Sequence, residues 1–337
     1  MKKKAGFSLE TLRLDCEKEF EKIAEATRNI IFGRFKKRGA VVAMSGGIDS
    51  SVVGAICARA LGKDRVLGLL LPEQDSSDDT LHLSRLIVEK LEIPSVHEDI
   101  SRALDVLGCY RARDEAIRSV IPEYGPGYKC KIVLPGVTDS DKYRLFSLVV
   151  ESPEGERTEK RLSPKAYLEI VAATNFKQRV RKMLEYYHAD RLNYVVAGTP
   201  NRQEYDQGFF VKLGPAAASY DFAADIKPIA HLYKTQVYQM AEFLGVPEEI
   251  RSRPPTTDTY SMAQSQEEFY FSVPYDKMDL CLYGKNHGMP PSEVAEAAEL
   301  TADQVERVYR DIEGKRKATK YLHTPPLLMD EVPEIAY

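Results

Sequence analysis

Ser45-Gly46-Gly47-Ile48-Asp49-Ser50-Ser51 joins an apolar run to a helical stretch, and its residue types suit a phosphate cradle. Adjacent glycines let the backbone approach an anion and take φ values that other residues avoid. Backbone N–H groups then point at the oxygens, and a helix N-terminus adds favourable partial charge. Ser45, Ser50 and Ser51 supply hydroxyl donors. Asp49 is discordant, because a carboxylate repels phosphate. It makes sense if it holds a Mg²⁺ that bridges phosphate oxygens. The plainer alternative is a strand-to-helix turn with a serine cap. No G-x-x-x-x-G-K-[ST] occurs, no G-x-G-x-x-G follows the first strand, and no G-x-S-x-G is present. These absences argue against a kinase-type phosphate loop, a dinucleotide-binding dehydrogenase and a serine hydrolase.

Such a loop needs a buried strand before it and a helix after it. Ala40 to Met44 is a short apolar run, as in a buried parallel strand, and a helix is expected from Ser50 to about Leu61. Upstream, Leu9, Leu12, Cys16, Phe20, Ile23, Ala24 and Ile30 recur at helical spacing, which predicts one helix over 8–37. A strand at Val66–Leu71, a helix at about Ser77–Leu91 and a strand near Val96 continue the alternation. The fold class is therefore α/β: a parallel sheet with helices on both faces.

Residues 120–165 break that rhythm. Turn-rich Ile121–Gly127 is followed by two expected strands, Lys131–Leu134 and Tyr143–Glu151, and a turn at Pro153–Gly155. This segment reads as a β-rich insertion within a single domain spanning 1–337. A long helix resumes at about Pro164–Ala189, and Tyr194–Ala197 is another buried strand that ends in Gly198-Thr199. A helix follows Tyr233, and two more are expected at about Ser292–Ala298 and Thr301–Lys315, the second opened by a Thr301–Gln304 capping box. Residues 324–337 read as an extended tail.

The bulk properties fit an ordinary soluble globular protein. The chain has 337 residues, 43% hydrophobic and 29% charged, with a net charge of −4. That balance does not point to nucleic acid. Basic clusters at Arg179, Arg181 and Lys182, and at Lys315–Lys320, are of the kind that usually form solvated faces. No apolar run approaches a membrane span, and no signal-peptide pattern is seen, so the expected location is cytoplasmic. The five cysteines are scattered without a C-x-x-C pair, which fits a reducing compartment better than a disulfide or zinc framework.

SGGIDSS resembles the pyrophosphate loop of the N-type ATP pyrophosphatases, and further motifs resemble those of the ammonia-dependent NAD synthetases. Asn175-Phe-Lys-Gln-Arg179-Val-Arg181-Lys-Met183 is similar to their N-x-K-x-R-x-R-M helix. Gly198-Thr199-Pro-Asn201-Arg-Gln-Glu204 resembles G-T-x-N-x-x-E, and Gly208-Phe209-Phe210-Val-Lys212 resembles G-[FY]-F-x-K. Asp225 to Ile250 is similar nearly throughout, including Lys234, and Pro255-Thr256-Thr257-Asp258 fits P-T-A-D. The resemblance covers about 8–110 and 172–325.

This resemblance implies an adenine nucleotide α-hydrolase-like (Rossmann-like) fold, a homodimer, and an amide ligase that uses ATP and Mg²⁺. The carboxylate of nicotinic acid adenine dinucleotide would be adenylated and passed to ammonia. No glutaminase domain precedes the loop, so free ammonia is the implied nitrogen donor. Ser45, Gly46, Gly47, Asp49, Ser50, Ser51, Thr199, Lys234 and Thr256 would bind ATP. Asp49, Lys234 and Thr256 would carry the chemistry, with Asp49 and Glu204 as metal ligands and Pro255 shaping the Thr256 loop. Asn175, Arg179, Arg181, Phe209, Lys212 and Asp225 would contact the dinucleotide. Phe209 or Phe210 would stack on the pyridine ring, or serve as a core aromatic. His323 or a nearby lysine would close over the site. Arg179 and Arg181, two positions apart on a helix, do not share a face and would serve different partners.

The chain also departs from the pattern. Where the family carries G-D-G-G-x-D, this sequence has Gly214-Pro215 and then a longer run to Asp221 and Asp225. Proline cannot ligate Mg²⁺, which makes Asp221 the candidate substitute. Two alternatives to a divergent NAD synthetase stay open: a paralogue that ligates another carboxylate, and a nucleotide-binding protein with weak or no turnover.

Overall fold

The computed structural model describes residues 6–137, 145–213, 224–257, 259–325 and 327–330. Four parallel strands form its centre: β1 (Ala40–Ala43), β2 (Val66–Leu70), β3 (Ser95–His97) and, much later in the chain, β7 (Val195–Ala197). Their order is β3-β2-β1-β7. Ala40 pairs with Val66 on one side and with Val195 on the other. The chain thus steps outward from β1 in one direction, then returns to add β7 on its opposite edge. Such a reversal opens a crevice at the carboxyl ends of β1 and β7, where open α/β sheets bind ligands.

Side chains alternate across β1. Ala40, Val42 and Met44 enter one core with α1 (Cys16–Arg28), α2 (Ile48–Leu61) and α3 (Asp78–Leu91). Val41 faces the other way, with Leu67, Leu69 and Val196, against α4 (Ser101–Val106), α5 (Cys109–Arg118) and α6 (Pro164–Leu192). Both faces are covered, which is why β1, β2 and β7 read as unbroken apolar runs.

The helix expected over 8–37 is interrupted. A 3₁₀ turn at Leu9–Leu12 ends in extended Arg13, and Asp15 then caps α1 by accepting the Lys18 N–H at 3.1 Å. The cap competes successfully with helix continuation. After Arg28 the helix widens into a π turn over Asn29–Arg34.

The 120–165 segment holds three antiparallel strands: β4 (Lys129–Val133), β5 (Ser147–Glu151) and β6 (Arg157–Arg161). Cys130, Ile132, Leu148 and Val150 pack on Ile117, Ile121, Ala166 and Ile170, so the sheet rests on α5 and the start of α6. β6 was not expected, because Arg-Thr-Glu-Lys-Arg has no apolar alternation; it is an exposed edge strand. Part of the expected Tyr143–Glu151 strand lies outside the described residues.

Beyond β7 come α7 (Arg202–Gln207), α8 (Lys234–Leu244) and α9 (Glu248–Arg251). A last apolar cluster gathers α10 (Tyr275–Asn286), α11 (Pro291–Ala298) and α12 (Ala302–Thr319). Thr301 and Gln304 form the expected capping box at the start of α12.

Candidate active site

The loop after β1 is shaped by its own serines. Ser50 and Ser51 Oγ donate to the Gly47 carbonyl at 3.0 and 2.9 Å, and the Ser45 N–H donates to Ser50 Oγ at 3.3 Å. Gly46 has φ +71°, and a Cβ there would lie 2.8 Å from both Leu83 Cβ and the Thr80 carbonyl of α3. Glycine is therefore required on steric and conformational grounds. Gly47 caps α2 without a side-chain hydrogen bond, so the helix start is left to an external acceptor.

Asp49, in the first turn of α2, is held from two directions. Asn201 Nδ2 donates to its Oδ1 at 3.0 Å, and the Lys234 ammonium pairs with Oδ2. Asn201 is the N-cap of α7. Its Oδ1 accepts the Gln203 and Glu204 N–H groups, and Glu204 returns Oε2 to the Asn201 N–H at 3.1 Å, a full capping box. The other oxygen of Glu204 accepts from Gln266 Nε2 at 3.2 Å. Glu204 and Lys234 are 8% and 1% exposed, so the charges meet in a low-dielectric place.

The electrostatics follow. Burial, and then the Asp49 charge, pushes the Glu204 carboxyl well above its ordinary range. Burial pulls the Lys234 ammonium down, but Asp49 and Glu204 outweigh it and hold its pKa above the usual lysine value. Two carboxylates competing for one ammonium leave room for another cation. Asp49 and Glu204 offer hard oxygen donors that suit Mg²⁺. Among the described residues no cluster of three or more metal-ligating side chains exists. Mg²⁺ commonly completes its coordination with phosphate oxygens and water.

The other expected ATP residues surround this centre. Thr199 follows β7, half-buried, and Thr256 is exposed where it bridges to Ser265. The Gln266 N–H donates to the Pro255 carbonyl at 3.2 Å, so the residue that touches Glu204 also anchors the Thr256 loop.

The expected dinucleotide residues divide. Arg179 is exposed and donates from Nε to the Lys212 carbonyl at 3.3 Å, while Arg181 donates to the Leu71 carbonyl at 3.1 Å. They serve different partners, and Arg181 buttresses the loop after β2. Asn175 is half-buried, one turn from Arg179. The Lys212 ammonium lies 5.7 Å from the Tyr321 ring. Phe209 stacks on Tyr270 at 4.8 Å within an aromatic cluster, and Phe210 meets His323 edge-on at 5.2 Å. Asp225 accepts the Val196 N–H at 2.7 Å and the Tyr186 hydroxyl at 3.3 Å, which fixes the edge of β7. Pro215, Asp221 and Asp258 lie outside the described residues. A cavity of about 500 Å³ lies beside Arg202, Tyr233 and Asn286, and one of about 430 Å³ beside Tyr205, Asp225 and Lys227. Neither of these two cavities is lined by the serine-glycine loop.

Sequence reasoning assigned no role to several residues that the fold brings here. Asn201 was legible, since N-x-x-E is a capping signature. Gln203, Gln266 and Asp279 gave no local signal, because their partners lie far away in the chain. The same holds for Lys177, which is fully buried with Glu73 and Asp75 behind the loop after β2.

Comparison with known proteins places the chain in a family. The NAD synthase family model matches residues 21–119 and 151–321, skipping most of the β-rich segment. The NH(3)-dependent NAD(+) synthetase of Mesorhizobium japonicum is 58% identical over 96% of this chain and 99% of its own. That of Rhizobium meliloti is 55% identical over 98% and 96%. Among solved structures, NMN synthetase from Francisella tularensis superposes with TM-score 0.64 at 19% identity, covering 95% of this chain and all of its own. NH3-dependent NAD synthetase from Campylobacter jejuni gives 0.58 at 20%, covering 94% and 100%. These two show a shared fold. With the loop, the Asp49–Lys234 pair and the capped Glu204 in place, and the family model matched over most of its length, the chain belongs to the NAD synthase family.

Proposed function

We propose that this protein adenylates the carboxylate of nicotinic acid adenine dinucleotide with ATP and transfers it to ammonia, giving NAD, AMP and pyrophosphate. The observation that carries this reading is the convergence of Asp49, Glu204 and Lys234 beside the Ser45–Ser51 loop. The dinucleotide is favoured because curated relatives more than half identical over nearly the whole chain are named for that product.

In the first step a carboxylate oxygen of the substrate attacks the α-phosphorus of ATP. The bond to the bridging oxygen of the β-phosphate breaks, and pyrophosphate leaves with the electron pair. The N-terminus of α2 and the loop N–H groups would hold the departing pyrophosphate. Lys234 would neutralise developing charge on the phosphate oxygens as a point charge. Asp49 and Glu204 would hold Mg²⁺, which would supply neutralisation of phosphate charge. In the second step ammonia attacks the acyl carbon, AMP leaves, and a proton is released. No protein nucleophile is required; positioning and charge neutralisation do the work.

Arg179 and Lys212, joined through a backbone contact, would face the anionic dinucleotide. We place residues 120–165 within a single NAD-synthetase-like domain, as a sheet built onto α5 and α6. A homodimer would use α6, which exposes Met183 and Tyr187 one turn apart, 60% and 59% exposed. No described helix is long and apolar enough to cross a membrane, which suits the expected cytoplasmic setting.

The test is AMP and pyrophosphate release with ATP, Mg²⁺ and ammonium, with and without the dinucleotide. Dinucleotide-dependent release with NAD as product supports the reading. Release that instead requires nicotinic acid mononucleotide would replace it with ligation of a different carboxylate. ATP binding without release would leave a nucleotide-binding protein.

A further inference from the structure

The two helices that deliver side chains to Asp49 are tied to a single carboxylate on a third. Asp279, on α10, is completely buried. Its Oδ1 accepts from Gln203 Nε2 at 2.7 Å and from the Lys234 N–H at 3.2 Å, while Oδ2 accepts from the Thr235 N–H at 2.7 Å. Gln203 sits between Asn201 and Glu204 on α7, and its amide also donates to the Tyr275 carbonyl at 2.7 Å. Lys234 and Thr235 are the first residues of α8. One carboxylate therefore fixes the start of α8 and the side of α7, from which the Lys234 ammonium and the Asn201–Glu204 pair reach Asp49.

We infer that Asp279 is a positioning residue for the ATP site, holding α7 and α8 at the spacing that brings Lys234, Asn201 and Glu204 together on Asp49. It touches neither Asp49 nor Glu204 and acts through Gln203 and the backbone of α8. A purely apolar contact would fill the same space, but it would leave the Lys234 and Thr235 N–H groups without an acceptor and the Gln203 amide with the Tyr275 carbonyl alone. Burial pushes the Asp279 carboxyl up to about 6, so the fold tolerates a strained charge at this junction. Only these donors and the adjacent helix start make that charge tolerable.

The inference rests on the reading of this site as an ATP site, but not on which carboxylate is ligated. The experiment compares the wild type with Asp279→Asn, Gln203→Met and the double variant. The probe is the magnesium complex of α,β-methylene-ATP, with binding measured by calorimetry and thermal midpoints recorded in parallel. Leu148→Ala, in the antiparallel sheet, supplies a comparably destabilised control. The expected result is an affinity loss of about tenfold to a hundredfold in each single variant, as for supporting residues around a site. The double variant should be no weaker than Asp279→Asn, since both changes break one tie. Leu148→Ala should bind as the wild type does. Unchanged affinity in Gln203→Met, fully additive losses, or an equal loss in Leu148→Ala would each overturn the inference. If Asp279→Asn does not fold, Gln203→Met decides alone. Wild-type nucleotide binding without NAD formation would sink the proposed substrate and leave the positioning role standing. A wild type that binds no nucleotide would overturn both.

Discussion

Lys234 closes on Asp49 across 185 residues of sequence, while Asn201 holds the other oxygen of the same carboxylate at 3.0 Å. This places a cation where the phosphate site needs one before any nucleotide arrives. Replacing Lys234 by methionine keeps most of the packing and removes the charge. Asp49 and the buried Glu204 would then face each other with Asn201 and Gln266 as their remaining hydrogen-bond donors. Lys234→Met is expected to cost about 3 kcal/mol of stability, at the low end for a broken buried pair because Asp49 is partly exposed. Turnover should fall by about 10²–10³, the scale for loss of one transition-state charge partner. Urea denaturation and initial rates of AMP release measure the two.

Glu204 gives a pH signature. Its folded pKa stands above the ordinary 4.5, chiefly through burial and then through Asp49. A raised carboxyl contributes stability that is complete below its unfolded pKa and is lost as pH rises through the folded one. Metal-free protein should therefore lose stability from just above pH 4.5 upward, until the raised pKa is passed. Glu204→Gln should make that slope shallower, leaving the part that buried Asp279 contributes. Urea midpoints at about pH 5 and about pH 8, for wild type and variant without divalent metal, measure it. Parallel slopes would show that Glu204 is not the titrating group.

Gly46→Ala tests the loop itself. The new methyl would meet Leu83 Cβ and the Thr80 carbonyl at 2.8 Å, with φ at +71°. Neither neighbour is the far end of a flexible side chain, so the loop or the start of α3 must move. The expected stability cost is about 1–3 kcal/mol, as for an overpacked site, with a larger effect on nucleotide affinity. Calorimetric titration with an ATP analogue, beside a thermal melt, separates the two effects.

These residues also show what the sequence could and could not reveal. Ser45–Ser51 was legible because strand, glycine turn and helix start are contiguous, and Asn201–Glu204 through the resemblance of its G-T-x-N-x-x-E motif. Arg179 and Arg181 were separable by helical geometry alone. Arg157–Arg161 was not readable as a strand, since an exposed edge carries no alternation. The break before α1 was hidden because apolar spacing continues through Asp15, and only the cap competes with the helix. Phe209 and Asp225 look like ligand-facing residues in sequence, yet the fold engages them in an aromatic cluster and a strand edge. The buried roles of Asp279 and of Lys177, the lysine of the N-x-K-x-R-x-R-M motif, were not readable for a different reason. A buried charge is recognised by its partners, and theirs lie 44 to 104 residues away.

Lys177 carries the final prediction. Its ammonium is fully buried and donates to Glu73 Oε1 at 2.9 Å, Asp75 Oδ2 at 2.6 Å and the Thr259 carbonyl at 2.9 Å. Arg113 pairs with the same Asp75, and Tyr110 donates its hydroxyl to Glu73 at 2.8 Å. Two buried cations and two buried carboxylates thus meet at the loop after β2, with the half-buried Asp114 also pairing with Arg113, and the Thr259 contact ties that loop to the one bearing Thr256. Lys177→Met would leave two buried carboxylates to one guanidinium. The expected cost is about 3–5 kcal/mol, because breaking a buried pair strands a charge. Adding Glu73→Gln removes the stranded charge and should restore part of the loss, a coupling that independent sites would not show. Urea denaturation of the four proteins in the cycle measures it. A single-variant cost below about 1 kcal/mol, or strict additivity, would mean that solvent reaches these groups and that the quartet does not hold the loops together.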